Sequence, residues 1–248
     1  MLSLKAISVL KEPFFLSDVS FDVSERENTV ILGGAGSGKT LLLRAILGLE
    51  ELESGSAQLR NVEITPLNLV SMRQSIGFVS SYGVLFPHLT VSENICLAAE
   101  HVGWKEEEIS NRLLKLTERF NFGLPKLSLT VSELTPAERQ TIAFIRALML
   151  SPELIIFDDP FLQFDPAQRR ELEGKWQAIL KEMNKTSIWA TRDVCAAQRL
   201  GERILFLHEG KVLENARQSV FFQTENEKTK QYLNAQSLQE TDKSTMMV

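Results

Sequence analysis

Between two apolar runs, Thr29-Val30-Ile31-Leu32 and Leu41-Leu42-Leu43, the chain carries Gly33-Gly34-Ala35-Gly36-Ser37-Gly38-Lys39-Thr40. This is the Gly-x-x-x-x-Gly-Lys-Ser/Thr pattern in its required setting, after a short strand and before a helix. Glycines let the main chain curl until successive N–H groups converge on one anion. The start of the following helix adds its partial positive charge. Lys39 is expected to reach the outer phosphates of a nucleotide, and Thr40 to offer its hydroxyl to Mg²⁺. Gly33, Gly34, Ala35, Gly36, Ser37 and Gly38 would cradle the phosphates with their backbone. The alternative is a plain glycine turn that starts a helix; the strand–loop–helix setting favours the phosphate site.

Further apolar runs fit the same plan. Ile76-Gly77-Phe78-Val79, Leu154-Ile155-Ile156-Phe157 and Ser187-Ile188-Trp189-Ala190 alternate with helical patterns. That alternation predicts an α/β fold, a P-loop core with a mostly parallel sheet and flanking helices. Ahead of it, LSLKAISV and FFLSDVSFDV show the period-two pattern of an N-terminal antiparallel β subdomain. From about residue 91 to 149 three segments read as helices, which predicts a helical subdomain inserted into the core. Residues 1–222 are thus expected to form one nucleotide-binding domain. The polar stretch 223–248 is expected to be a flexible tail. Asp158 closes one apolar strand, where a carboxylate is suited to hold Mg²⁺ beside a phosphate loop. A GTP reader would want Asn-Lys-x-Asp, and Asn184-Lys185-Thr186-Ser187 lacks the Asp. GTP is disfavoured.

Composition narrows the partners. In 248 residues, 32 acidic against 27 basic side chains leave a net charge of −5. That balance gives no electrostatic reason to expect nucleic acid. Cys96 and Cys195 form no metal-ligand spacing, so a reduced, cytoplasmic setting is expected. No apolar run approaches the roughly 18 residues of a membrane helix. Any membrane role is therefore expected to come through a partner.

Past the phosphate loop, Leu85-Phe86-Pro87-His88-Leu89-Thr90-Val91-Ser92-Glu93-Asn94-Ile95 resembles the segment that follows the Q-loop in ATP-binding cassette (ABC) transporter ATPases. The order continues with Ile145-Arg146-Ala147-Leu148, Ser151-Pro152-Glu153 and LIIFDDP around Asp158. Phe164-Asp165-Pro166 is similar to the D-loop, and Arg203 to Val212 to the closing strands. The resemblance covers about residues 1–222. It implies a subunit that binds Mg-ATP, docks under a membrane permease and dimerises head-to-tail. Each ATP would lie between one chain's phosphate loop and the other's signature motif, with Asp165 at the seam.

Several family positions are altered. The LSGGQ signature falls on Leu134-Thr135-Pro136-Ala137-Glu138. Pro136 has no N–H to give a phosphate. Thr135-x-x-Glu138 reads instead as a capping box, with proline at the favoured first helical position. Glu138 would bring a carboxylate toward the opposing γ-phosphate, where like charges about 5–6 Å apart repel by about 3 kcal/mol at an effective dielectric of about 20. The family's catalytic Glu falls on Asp159, one methylene shorter, and a misplacement of about 1 Å can cost about 10²-fold in rate. The switch His falls on Arg192, which cannot accept a proton at working pH; its alternative is a surface arginine paired with Asp193. The Q-loop Gln falls on Ser81, too short to span metal and attacking water. For the aromatic that stacks on adenine, alignment points to Leu10. A shift of a few residues brings in Phe14 or Phe15, residues otherwise expected in the core.

These features predict an ATP-binding subunit with slow or impaired hydrolysis, partnered by a permease and a second ATP-binding chain, a heterodimer somewhat favoured over a homodimer. The alternative is a non-catalytic, nucleotide-gated structural subunit. A soluble ABC protein of DNA repair or translation would carry a second cassette or large added domains. The GGAGSGKT loop is similar to those of bacterial lipid-trafficking (Mce-type) ATPases, while the coupling segment looks equally like those of solute importers.

Overall fold

The computed structural model describes residues 1–245. From the N-terminus run β1 (Leu2–Lys11), β2 (Phe14–Val23), β3 (Asn28–Leu32), α1 (Lys39–Ile46), β4 (Ser54–Leu59) and β5 (Val62–Glu63). Then come α2 (Leu69–Gln74), β6 (Ile76–Ser80), α3 (Val91–Val102), α4 (Glu106–Arg119), α5 (Pro136–Leu148), β7 (Leu154–Asp158) and α6 (Pro166–Glu182). The chain continues with β8 (Thr186–Thr191), α7 (Val194–Leu200), β9 (Arg203–His208), β10 (Lys211–Arg217), α8 (Gln218–Phe221) and α9 (Glu227–Thr245). It is the α/β class that the alternation of apolar runs and helical patterns predicts. Two compact units divide it, one of Met1–Pro66 with the chain from Ile188 onward, the other of Leu67–Ser187.

In the first unit, an antiparallel sheet has the order β2-β1-β4-β5. The β1–β2 ladder runs from Leu2 opposite Val23 to Lys11 opposite Phe14. Alternation sends Leu2 and Leu4 inward, and an irregularity between Leu4 and Ile7 resets the phase so that Ile7 and Val9 also face inward, each of the four no more than 2% exposed. The second sheet of this unit has β10, β9, β3 and β8 as successive neighbours, with β3 parallel to β9 and β10 antiparallel to it. All five residues of β3 are buried, which is why it reads as a continuous apolar run rather than an alternating one.

The second unit pairs β6 with β7 in parallel, Ile76 opposite Leu154 through Ser80 opposite Asp158. An aromatic cluster forms its centre. The Phe144 ring lies 4.5 Å from Trp176, 5.2 Å from Phe157 and 5.0 Å from Phe120. A fully buried side chain of this size contributes on the order of 2–3 kcal/mol. Because α6 supplies Trp176 and β7 supplies Phe157, this unit extends beyond the helical stretch 91–149 that the sequence marks out. Helix α3 starts at a capping box between Thr90 and Glu93 and stops at Gly103, whose φ of 85° ends the helix in the left-handed region.

The polar composition after residue 222 suggests a flexible tail, yet helix α9 occupies Glu227–Thr245. Thr229 is fully buried, and Asn226 Oδ1 accepts from the N–H groups of Lys228 and Thr229. Tertiary anchoring of its first turns outweighs composition here. Among the described residues, no helix is long and apolar enough to cross a membrane.

Candidate functional site

The loop after β3 is shaped by close approach. A Cβ on Gly33 would lie 2.3 Å from the Leu207 carbonyl oxygen and 2.6 Å from Ser37 Oγ, so only glycine fits. Gly38 starts α1 with φ 100°, which strongly favours glycine. No side chain caps α1, and no acidic residue sits in its first turn, so the helix start keeps its positive character for an anion. Lys39 is 9% exposed. Its ammonium donates to the carbonyls of Gly33 and Gly34, both at 2.8 Å, and to Ser37 Oγ at 3.4 Å. The cation thus sits in the hollow of its own loop.

Beside the loop opens a cavity of about 290 Å³, lined by Lys11, Phe14, Arg44 and Glu50 together with residues 36–41. Glu50 accepts from Lys11 Nζ and Arg44 Nε, both at 2.5 Å, tying the β1–β2 hairpin to α1. The Lys11 hydrogen bond leads in holding its carboxyl below the usual range, with Arg44 adding to it. Phe14 lines the cavity at 47% exposure, and Phe15 is 44% exposed, so neither is a core residue. This corrects the expectation from the sequence. Leu10, to which alignment points, is 62% exposed and does not line the cavity.

Arg192 lies in the same unit as the loop. Its side chain is exposed, while its main chain is fixed on both sides. The Thr191 carbonyl accepts from Gly33 N–H at 3.2 Å, and Asp193 caps α7 by accepting from Ala196 N–H at 2.9 Å. The Arg192 carbonyl accepts from Tyr232 Oη at 2.7 Å. Tyr232 falls in the stretch that reads as a tail, and no local sequence signal marks it.

The second unit holds the remaining residues singled out from the sequence. Ser81 Oγ donates to the main-chain carbonyl of Asp158 at 2.8 Å. Asp159, next in the chain, has φ 47°, a left-handed conformation that Asp tolerates better than most side chains. Asp165 caps α6, with Oδ1 accepting from Ala167 and Gln168 N–H at 2.9 Å. Thr135 caps α5. Its hydroxyl accepts from Glu138 N–H at 3.3 Å, and Glu138 Oε2 accepts from Thr135 N–H at 2.8 Å. The capping box expected from Thr135-x-x-Glu138 is therefore formed, with Pro136 opening the helix. Lys126 also hydrogen-bonds the Glu138 carboxylate. That bond first, then the Thr135 N–H and hydroxyl, hold the Glu138 carboxyl at about 2. The carboxylate expected to fold back on the helix start does so, and Lys126 pairs with it as well.

Thr40 and Asp158 offer hard oxygen donors. Among the described residues there is no cluster of three or more His, Cys, Asp or Glu that could hold a metal alone. Thr40, in the first unit, and Asp158, in the second, each carry an oxygen of the hard type that Mg²⁺ prefers.

A glycine loop between a buried strand and an uncapped helix, with its lysine folded into the hollow, defines a P-loop nucleotide-binding fold. The family model described as "ABC transporter" matches residues 16–162. The chain belongs to the ABC transporter family. It is 32% identical over 216 residues to the glutamine transport ATP-binding protein GlnQ of Geobacillus stearothermophilus, covering 86% of this chain and 88% of that protein. It is 31% identical to the glycine betaine/carnitine/choline transport ATP-binding protein OpuCA of Bacillus subtilis over 80% of this chain. That match spans only 52% of OpuCA, so the chain covers about half the length of several relatives it resembles. Among solved structures, the dimeric, post-hydrolysis ATP-binding cassette MJ0796 bound to ADP and Pi superposes with a TM-score of 0.77 at 26% identity. The match covers 88% of this chain and 99% of that one. CbiO1 of Clostridium perfringens, part of the transporter complex cbiONQ, shares the fold, with a TM-score of 0.82 at 23% identity over 90% of each chain.

Proposed function

We propose that this chain is the ATP-binding subunit of a membrane transport complex, binding Mg-ATP at the Gly33–Thr40 loop and hydrolysing it slowly or not at all. The observation that carries the binding half is the buried Lys39 ammonium, held between the Gly33 and Gly34 carbonyls at 2.8 Å. A triphosphate offers that cation a better counter-charge than two carbonyls do. The N–H groups of Gly34, Ala35, Gly36, Ser37 and Gly38 would follow the phosphates, and Phe14 would stack on adenine. Thr40 and Asp158 would hold Mg²⁺, which when bound would supply positive charge to neutralise the nucleotide phosphates.

The hydrolytic half rests on altered chemistry. Asp159 would orient the attacking water from a shorter arm than the family's Glu. Arg192 would neutralise γ-phosphate charge with a guanidinium that neither loses nor accepts a proton. Ser81 spends its hydroxyl on the Asp158 carbonyl. The names of GlnQ and OpuCA support a transport role, and that of the sulfate/thiosulfate import protein CysA of Synechocystis, 32% identical over 200 residues, supports import of small solutes. A permease would then be the membrane partner, with this chain on the cytoplasmic face. Head-to-tail pairing would set Asp165 at the seam and Thr135 against the partner's nucleotide. Because Pro136 has no N–H to offer, a second ATP-binding chain of a different sequence fits this reading better than a second copy.

The formed cap at Thr135, with Glu138 paired to Lys126, favours a second reading in which ATP closes the dimer as a gate without chemistry. Binding one state preferentially is enough to shift such an equilibrium. Transport assays of the complex separate the two readings. Lys39→Ala abolishes transport under both, whereas Asp159→Asn abolishes it only if hydrolysis drives the cycle. Binding of Mg-ATP by the wild type, lost in Lys39→Ala, tests the shared part; equal affinity in both would refute it.

A further inference from the structure

Helix α9 reaches the phosphate loop through Tyr232. The hydroxyl donates to the Arg192 carbonyl at 2.7 Å. The ring centroid lies 5.0 Å from that of Phe206, and Cε2 lies 3.7 Å from where a Cβ on Gly34 would stand. One side chain therefore lies beside the loop, packs on the strand behind it and bonds the main chain of the residue at the switch position.

This is a built attachment rather than the graze of a loose terminus. Phe221 and Thr229 are fully buried on either side of the helix start. Thr224 Oγ1 donates to Glu214 Oε2 at 2.6 Å, and Asn226 Oδ1 accepts from Lys228 and Thr229 N–H at 3.1 and 3.2 Å. These bonds fix the first turns of α9 and so fix where the Tyr232 ring can go. At the other end, Gly33 N–H donates to the Thr191 carbonyl, and Asp193 N–H donates to Thr191 Oγ1 at 3.1 Å. Residues 191–193 are thus held from the loop, from α7 and from α9. The Arg192 side chain itself is exposed.

We propose that Tyr232 is a positioning residue for Arg192. By fixing the Arg192 carbonyl, it presets the peptide from which the guanidinium extends toward the terminal phosphate. The C-terminal helix thereby sets how strongly the site prefers a nucleoside triphosphate over a diphosphate. This rests on the reading of the Gly33–Thr40 loop as an ATP site. A tyrosine that served stability alone would affect both nucleotides equally. One acting through Arg192 affects only the nucleotide that carries a γ-phosphate.

The test is titration of Mg-ATP and Mg-ADP into the full chain as wild type, Tyr232→Phe, Arg192→Ala and the double variant. Phe keeps the ring against Gly34 and Phe206, and thermal melting verifies that the fold is retained. Loss of one neutral hydrogen bond corresponds to about a fivefold effect. Tyr232→Phe is expected to weaken ATP about fivefold, leave ADP unchanged, and add nothing once Arg192 is alanine. Equal weakening of ATP and ADP, unchanged ATP affinity, or a loss that persists in the Arg192→Ala background overturns the proposal. A wild type that binds neither nucleotide overturns the ATP-site reading itself, and this inference with it.

Discussion

Ser81 Oγ donates to the Asp158 main-chain carbonyl at 2.8 Å, so the residue at the Q-loop position is bonded to the backbone of the residue proposed to hold Mg²⁺. Gln140 Nε2 fixes the neighbouring Ser80 carbonyl at 2.7 Å, and Arg146 Nη2 fixes that of Val84 at 2.6 Å. Segment 80–84 is thus pinned by three side chains. Ser81→Ala is expected to cost about 1 kcal/mol, the net worth of one such bond. Gln140→Leu should cost little more, because the Gln140 Oε1 is buried without a partner and its loss relieves that penalty. Urea unfolding of both variants checks this; a loss of several kcal/mol in Gln140→Leu would contradict it.

Lys39→Ala should remove nucleotide binding while leaving a folded chain. Its ammonium makes two charge-assisted bonds to loop carbonyls, each worth about 1.5–3 kcal/mol where buried. Some destabilisation is therefore expected as well, visible as a lower melting temperature without nucleotide. The decisive readout is the ATP-induced rise in melting temperature, present in the wild type and absent in the variant.

Phe14→Ala should weaken ATP without affecting folding, since the ring is 47% exposed and lines the cavity. Base–aromatic stacking is worth about 1–3 kcal/mol, which corresponds to a loss of affinity of about fivefold to 150-fold. Leu10→Ala should leave affinity unchanged. Parallel titrations check the pair, and the reverse order of effects would return the stacking role to Leu10.

Glu138 carries a pH dependence with a defined sign. Its carboxyl is held at about 2 in the folded chain, against an ordinary 4.5, by Lys126 first and then by Thr135. A group depressed in this way contributes stability that is present above about pH 4.5 and lost as the pH falls toward about 2. Glu138→Gln should therefore destabilise the chain at pH 7 and make little difference near pH 2. Because the pair with Lys126 is partly exposed, added salt should shrink the effect. Urea unfolding across that pH range checks it.

The phosphate loop was legible from sequence because its requirements are local: a strand, glycines where side chains clash or φ is positive, and a lysine at fixed spacing. The Thr135–Glu138 box was legible for the same reason. What stayed hidden depends on residues distant in sequence. Lys126 neutralises Glu138 from twelve positions away, and no spacing rule announces it. Phe14 looks like one more apolar residue of an alternating strand until the cavity beside α1 is seen. Tyr232 lies in a stretch whose polarity argues for a loose tail, and only the buried Thr229 and the Asn226 cap make it a helix. At Asp159 the sequence shows a shorter carboxylate, and the structure adds a left-handed backbone that suits Asp.

The most direct measurement is the ATP turnover of the purified chain, wild type beside Asp159→Glu and Asp158→Asn, with Mg-ATP affinity determined on the same samples. Tight wild-type binding is expected with turnover at or below about 0.1 s⁻¹, some 10²-fold under an ordinary enzyme rate, and no greater than a few times that of Asp158→Asn. Asp159→Glu should raise it. Wild-type turnover near 10 s⁻¹, lowered by Asp159→Glu, would contradict slow hydrolysis and give Asp159 a working hydrolytic role.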